Sequence, residues 1–281
     1  DLTLGKSIQR ARQKPVVINY SMEGIRGRFE KSPDENDLNI IREAESATDI
    51  SWHPINGLPY GYNTEQPRKS HGTTHTHHFY TRRNLRILSK YRELIRGCVN
   101  FHELLFAFTS AHQYVNRLCR LHVGNHFNKK GGTVDKPLEG TLYLPSISLE
   151  VNPISRLTLR SRLRKSLLQK GECYTSMGSC SNVKLRSNSL DYIFLDPPFG
   201  ANINYSEVNF LWESWLKVKT NNSEEAIVNA PQGKSVNEYR ILMQGCLIEA
   251  YRLLKPGRWL TVEFSNTKAS IWNSIQVALS E

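Results

Sequence analysis

The sequence predicts an α/β protein, in which a mostly parallel sheet covered by helices follows a largely helical and irregular region. From about residue 174 onward, strand and helix patterns alternate, and this alternation is typical of parallel sheets. Residues 81–173 contain amphipathic helical patterns and many cations, whereas residues 1–80 are polar and broken by Gly and Pro. We therefore predict an irregular accessory segment over 1–80, a helical, basic region over 81–173 and a sheet domain over 174–281.

The first two segments contain short elements and then two longer helices. A strand is predicted over 16–20 and a short helix over 37–44. Helices are predicted over 82–96 and 101–120, because apolar residues recur there at intervals of three and four. A polar loop over 124–140 leads to a further predicted strand at 140–144.

The last segment carries the alternation itself. Its predicted strands are 190–195 and 259–264, and its predicted helices are 207–217, 237–254 and 271–280. The longest helix is closed by Lys255-Pro256-Gly257, a sequence that cannot continue a helix.

Composition excludes some classes of protein. The 281 residues contain no apolar run of about 18 residues and no signal peptide at the start, so we expect a cytoplasmic protein without a membrane partner. The five cysteines form no C-x-x-C pair, which excludes a zinc ribbon and a disulfide framework. The net charge of +11 favours a polyanionic partner.

The tetrapeptide Asp196-Pro197-Pro198-Phe199 follows the predicted strand 190–195. Ligands of open α/β folds bind at the carboxyl ends of strands. Two prolines make the loop rigid and remove backbone donors, so the loop presents oxygen acceptors. A carboxylate and a carbonyl there would accept the two N–H groups of an exocyclic base amine, while Phe199 stacks on a base extruded from the duplex.

This motif resembles the catalytic D-P-P-[YF] sequence of amino-methyltransferases that act on adenine N6 or cytosine N4. The run Gly200-Ala201-Asn202-Ile203-Asn204-Tyr205-Ser206-Glu207 and segments near 81–85, 140–143 and 254–266 are similar to a family of large bacterial and archaeal adenine-specific DNA methylases. The resemblance implies a Rossmann-like class I methyltransferase sheet and the cofactor S-adenosylmethionine. It also implies Asp196, Pro197, Pro198 and Phe199 as catalytic residues, and a role in restriction-modification or defence.

The glycine-rich turn that approaches the cofactor in this family is missing from its expected place. Gly72-Thr73-Thr74 follows a polar segment instead of a strand, and Ser179 stands where relatives often carry an acidic residue. The sequence therefore identifies no cofactor-binding residue. The start at Asp1 and the end inside a helical pattern lead us to expect a partial chain, whose cofactor loop lies in a missing segment or a partner chain.

Two further groups of side chains are candidate sites. The cationic segments predict contacts with DNA phosphates; their residues are Arg82, Arg83, Arg160, Arg162, Arg164 and Lys165. For the histidines between 71 and 78 we expect no metal site, because adjacent side chains such as His77 and His78 point apart in an extended chain.

Two other functions stay open. Guanine-N2 methyltransferases of RNA also carry D-P-P-[FY] loops, but they place the glycine-rich segment a few dozen residues before the motif. Alternatively, the chain is a DNA-binding or specificity portion that needs another chain or segment to hold the cofactor.

Overall fold

The structure, a computed structural model, describes residues 1–128, 134–163 and 174–280, without the side chains of residues 161–163. The chain divides into two compact units. The first unit contains residues 1–58, 66–138 and the described part of 143–168. The second unit contains residues 59–65, 139–142 and the described residues from 174 onward. Both helices and small sheets are present, so the α/β prediction holds in its coarse form.

The first unit is mainly helical. Its strands form two short antiparallel pairs. Strand β1 (Ile18–Tyr20) pairs with β2 (Phe29–Lys31), and β3 (Arg120–Leu121) pairs with β4 (Asp135–Lys136). Its helices are α1 (Glu35–Ser46), the C-terminal part of α2 (Tyr62–His71), α3 (Arg82–Leu94), α4 (Phe101–His112), α5 (Val123–Phe127) and α6 (Pro153–Leu163). The core of this unit lies between α3, α4 and α6, where Leu88 and Phe108 are fully buried.

Two sequence predictions for the first unit were wrong in extent. The predicted strand over 16–20 is shorter, since it begins at Ile18. The predicted helix over 101–120 ends at His112, because Asn116 competes for the backbone: its amide donates to the His112 carbonyl (2.9 Å) and its oxygen accepts from Leu118 N (2.9 Å). The predicted helix over 37–44 is confirmed and slightly longer, with a capping box between Asp34 and Asp37.

The predicted strand over 140–144 is wrong, because these residues form no strand. The backbone of Leu144 is instead held by one side chain of the first unit. The Gln66 amide donates to the Leu144 carbonyl at 2.9 Å and accepts from its N–H at 3.0 Å, so the two groups that a neighbouring strand would pair are already used.

The second unit contains a pair of parallel strands. Strand β5 (Leu190–Leu195) pairs with β6 (Leu254–Val262), and the chain between them forms helices. These helices are α7 (Tyr205–Val208), α8 (Phe210–Leu216) and α9 (Val236–Leu253), and α10 (Ala269–Ser280) follows β6. The predicted strand over 190–195 is confirmed. The predicted helix over 207–217 is interrupted at Asn209, and β6 begins five residues earlier than the predicted strand at 259–264, immediately after α9.

One face of the parallel pair packs on helices. Ile193, Leu195 and Leu260 lie against the apolar residues of α9, among them Ala250 and Leu253. On the other face Tyr192, Phe194 and Trp259 are exposed. Among the helices that the structure describes, none combines the length and apolar character needed to cross a bilayer.

Candidate active site and basic segments

The DPPF loop, residues 196–200, begins at the carboxyl end of β5. Leu195 ends the strand and pairs with Val262, the last residue of β6, and Glu263 N donates to the Leu195 carbonyl at 2.9 Å. Because the two strands are parallel, the DPPF loop and the segment after β6 leave the sheet at the same edge. Asp196 therefore lies at the edge where the sequence places it.

Side chains from outside the motif hold the DPPF loop. The Tyr239 hydroxyl donates to the Pro198 carbonyl and the Asn266 amide donates to the Phe199 carbonyl, each at 2.8 Å. Gly200 has a φ of +72°, a conformation that favours glycine, and its carbonyl accepts from the backbone of residue 228 at 3.1 Å. Burial raises the pKa of Tyr239 to about 12, so this hydroxyl keeps its proton at neutral pH.

Two acceptors of the DPPF loop remain free of these contacts. Within the described residues, no hydrogen bond engages the Asp196 carboxylate or the Pro197 carbonyl. Asp196 is exposed and Pro197 is half-buried. Tyr205 lies close enough that the charge of Asp196, after the larger effect of burial, raises the pKa of the Tyr205 phenol. The loop is thus fixed by its last three carbonyls and offers acceptor oxygens at its start.

Phe199 ends a row of aromatic rings. Its ring meets Phe264 edge-to-face with centroids 5.3 Å apart, and Phe264 meets Trp272 in the same way at 5.0 Å. The Trp272 indole N–H donates to the Asn266 carbonyl at 2.7 Å. Edge-to-face packing fixes the plane of each ring, so the orientation of Phe199 depends on residues after β6. The resemblance covered Phe264 and Asn266 without implying a role for either, and the sequence placed Trp272 only in a predicted helix.

A buried carboxylate supports the chain just after the DPPF loop. Glu207 is 1% exposed and accepts hydrogen bonds from Asn63 N (2.8 Å), Asn229 Nδ2 (2.7 Å) and Gln232 Nε2 (3.2 Å). These neutral donors satisfy a charge that would otherwise be costly to bury. The sequence carried no signal for this network, since its donors are distant amides.

The structure describes the side chains of three predicted nucleic-acid residues, and all three have partners within the first unit. Arg82 donates to the Ala47 carbonyl at 2.8 Å, and Arg83 pairs with Glu150 at 3.1 Å. The Arg160 guanidinium lies over the Tyr114 ring, 5.5 Å from its centroid. The Arg162 side chain, Arg164 and Lys165 lie outside the described residues. Contact between these cations and DNA stays a prediction.

Two of the four histidines considered from the sequence converge on one carboxylate. His77 and His78 lie in a 3-10 helix (Thr76–Phe79), so the assumption of an extended chain was wrong. Their Nε2 atoms are 2.8 and 2.6 Å from Asp1 Oδ2. Burial lowers the pKa of both imidazoles, and nearby cations contribute to the shift. We call Asp1, His77 and His78 the histidine cluster.

Comparisons with models of known protein families, with curated proteins and with solved structures found no match to this chain. A functional assignment therefore depends on the residues and geometry described above.

Proposed function

We propose that this chain is part of an S-adenosylmethionine-dependent methyltransferase that acts on the exocyclic amine of a DNA base, adenine N6, in a cytoplasmic restriction-modification or defence system. The observation that carries the proposal is the position of the DPPF loop at the carboxyl end of a parallel strand. Hydrogen bonds hold the later residues of this loop, and the Asp196 carboxylate at its start is exposed. The two-stranded pair would form part of a Rossmann-like class I methyltransferase sheet.

The residues of this chain would act on the base. The Asp196 carboxylate and the Pro197 carbonyl each accept one N–H of the amine, which draws its nitrogen out of conjugation with the ring. Phe199 stacks on the extruded base. Asn266 and Tyr239 act through the loop as positioning residues, because their hydrogen bonds fix the carbonyls that follow the acceptors.

S-adenosylmethionine would supply the methyl group, but the described residues do not fit it. Neither β5 nor β6 is followed by a glycine-rich turn of the kind that approaches this cofactor. We therefore assign no residue of this chain to the cofactor, and we expect a further segment or a partner chain to hold it. Calorimetric titration of the chain alone should show weak or no binding of S-adenosylmethionine; tight binding would show that a cofactor site exists here without such a turn.

The decisive experiment measures transfer of a labelled methyl group to mixed-sequence DNA and to structured RNA, with any segment or partner that holds the cofactor present. Asp196→Ala should lower the rate by at least about 10²- to 10³-fold, as the loss of one preorganised polar group does elsewhere, while DNA binding persists. Asp191→Ala is the matched control, since Asp191 is an exposed aspartate of β5, the strand that precedes the DPPF loop, and it pairs with Lys255. We expect the control to keep its activity.

Conservative variants separate the roles of charge and stacking. Asp196→Asn retains an acceptor oxygen, so it should be milder than Asp196→Ala if hydrogen bonding alone matters. Phe199→Tyr keeps the stacking face and its activity, whereas Phe199→Ala should lose activity. Full activity of Asp196→Ala would refute the catalytic assignment. Methyl incorporation confined to RNA would favour guanine-N2 methylation instead.

A further inference from the structure

The histidine cluster combines strong burial with three ligand-type side chains. His78 is fully buried, His77 is 6% exposed, and the Asp1 side chain is 4% exposed. The cluster lies within the first unit and does not belong to the DPPF loop. Carboxylates are rarely buried to this extent unless they are paired or bind a metal.

The 3-10 helix brings the two imidazoles together. Such a helix has about three residues per turn, so consecutive side chains diverge by less than they do in a strand. The ring centroids of His77 and His78 are 4.3 Å apart. One ligand atom from each imidazole and one carboxylate oxygen of Asp1 lie within 4.8 Å of one another.

We propose that Asp1, His77 and His78 form a binding site for a divalent transition-metal ion, of which zinc is the test case. Two imidazoles and one carboxylate are a known ligand set for Zn²⁺, and they leave a fourth coordination position for water or another group. Neutral imidazole is the form that binds a metal.

The surroundings position the ligand atoms. Asp1 Oδ1 accepts from Thr3 N at 2.9 Å and from Leu4 N at 3.2 Å, which leaves Oδ2 to face the imidazoles. His77 Nδ1 is buried without a hydrogen-bond partner among the described residues. The coordinating atoms His77 Nε2 and Asp1 Oδ2 face each other at 2.8 Å.

Without a metal, His78 is held as one tautomer. Its Nδ1 accepts from Thr74 N at 3.1 Å, so its Nε2 carries the proton that is donated to Asp1. When the metal takes Nε2, this proton moves to Nδ1 and no proton is released overall. The hydrogen bond from Thr74 N is then lost, because Nδ1 has become a donor, so metal binding requires the His78 ring to shift away from Thr74 N. Thr74 Oγ1, 3.4 Å from Nδ1, is the acceptor that can receive the new N–H. Metal-bound histidines commonly donate their second N–H to such a partner.

Two guanidinium groups set a limit on affinity. Arg10 and Arg117 donate to the His78 carbonyl at 2.9 and 3.1 Å. Their positive charges attract the Asp1 carboxylate and repel a bound metal ion. Removing one of them should therefore strengthen zinc binding, whereas removing a ligand should weaken it.

The test loads the metal-free protein with zinc, dialyses it, and measures bound zinc by mass spectrometry. We expect one zinc ion per chain and a higher Tm in the loaded protein. With cobalt as a spectroscopic probe, the absorption of a low-coordinate site should appear. Asp1→Asn and His78→Gln should lose the ion, and His75→Gln is the matched control, since the His75 ring is 5.3 Å from that of His78 but is outside the ligand set.

Thr74→Val tests the site without altering a ligand, in case buried variants fail to fold. It should remain folded by circular dichroism and bind zinc about 10- to 100-fold more weakly, which is the usual effect of removing a hydrogen-bond partner of a metal ligand. The proposal is overturned if the wild-type protein binds no zinc, or if folded Asp1→Asn and His78→Gln bind as much zinc as His75→Gln.

Discussion

Substituting Gly61 by Ala tests the buried carboxylate of Glu207. A Cβ added at Gly61 would lie 2.0 Å from Glu207 Oε1 and 2.2 Å from its Cδ, well inside contact distance. The φ of Gly61 is outside the left-handed region, so the backbone tolerates Ala and the conflict is purely steric. Either the carboxylate leaves its donors or the Gly61 backbone shifts.

The expected cost follows from these two effects. Overpacking a dense site costs about 1–3 kcal/mol, and losing a hydrogen bond to a charged group costs about 1.5–3 kcal/mol. Replacing Gly by Ala also restricts the unfolded chain, which raises the free energy of unfolding by about 0.4–1 kcal/mol. Because the two responses are alternatives, only one of the two costs applies. The free energy of unfolding should therefore fall by about 1–2.5 kcal/mol, measured by urea denaturation.

Two comparisons isolate the cause. Gly178→Ala, in the same unit, meets no atom within 4 Å and should change the free energy of unfolding by less than about 0.5 kcal/mol. In a Glu207→Ala background, Gly61→Ala should cost little, because the clashing group has gone. A Gly61→Ala protein as stable as wild type, or one equally destabilised in both backgrounds, would refute the described packing.

Three further predictions concern the loop, pH and DNA. Tyr239→Phe removes one hydrogen bond from the DPPF loop and should lower the free energy of unfolding by about 0.5–1.5 kcal/mol in urea; an unchanged value would contradict this anchor. The Arg252 guanidinium lowers the pKa of Glu249 from 4.5 to about 2. The resulting stabilisation is present above pH 4.5 and is lost as pH falls toward 2, so Glu249→Gln should show a flatter acid denaturation curve than wild type; parallel curves would exclude this contribution. If Arg83 binds a DNA phosphate, Arg83→Gln should reduce the slope of log affinity against log salt by about one, whereas Arg42→Gln, which also breaks an Arg–Glu pair, should leave the slope unchanged.

The sequence predicted the elements whose signals are local. The strand 190–195 is a continuous run of mainly apolar and aromatic residues that follows a turn at Asn188, where φ is +55°. The helix α9 begins at Val236 after the N-cap residue Ser235, whose capping box with Glu238 is a local N-terminal signal. The position of Asp196 followed from these two elements, because a parallel pair needs a helical crossover between its strands.

The remaining features depend on residues far apart in the chain. Gln66 satisfies the backbone of Leu144 across 78 residues, so a segment with the pattern of a strand forms none. The contact of His78 with Asp1 spans 77 residues. The arginines indicated a positively charged surface, but the sequence could not show that Arg83 pairs with Glu150.

The anchors of the DPPF loop affect how natural variants of such a protein should be read. The loop is held by side chains or backbone at residues 228, 239 and 266, which lie 29 to 67 positions beyond the motif. A gene copy can therefore keep Asp196-Pro197-Pro198-Phe199 intact and still lose the geometry through a substitution at Tyr239 or Asn266. An intact tetrapeptide in a related sequence therefore does not show that the loop keeps this geometry unless residues 239 and 266 are also compared.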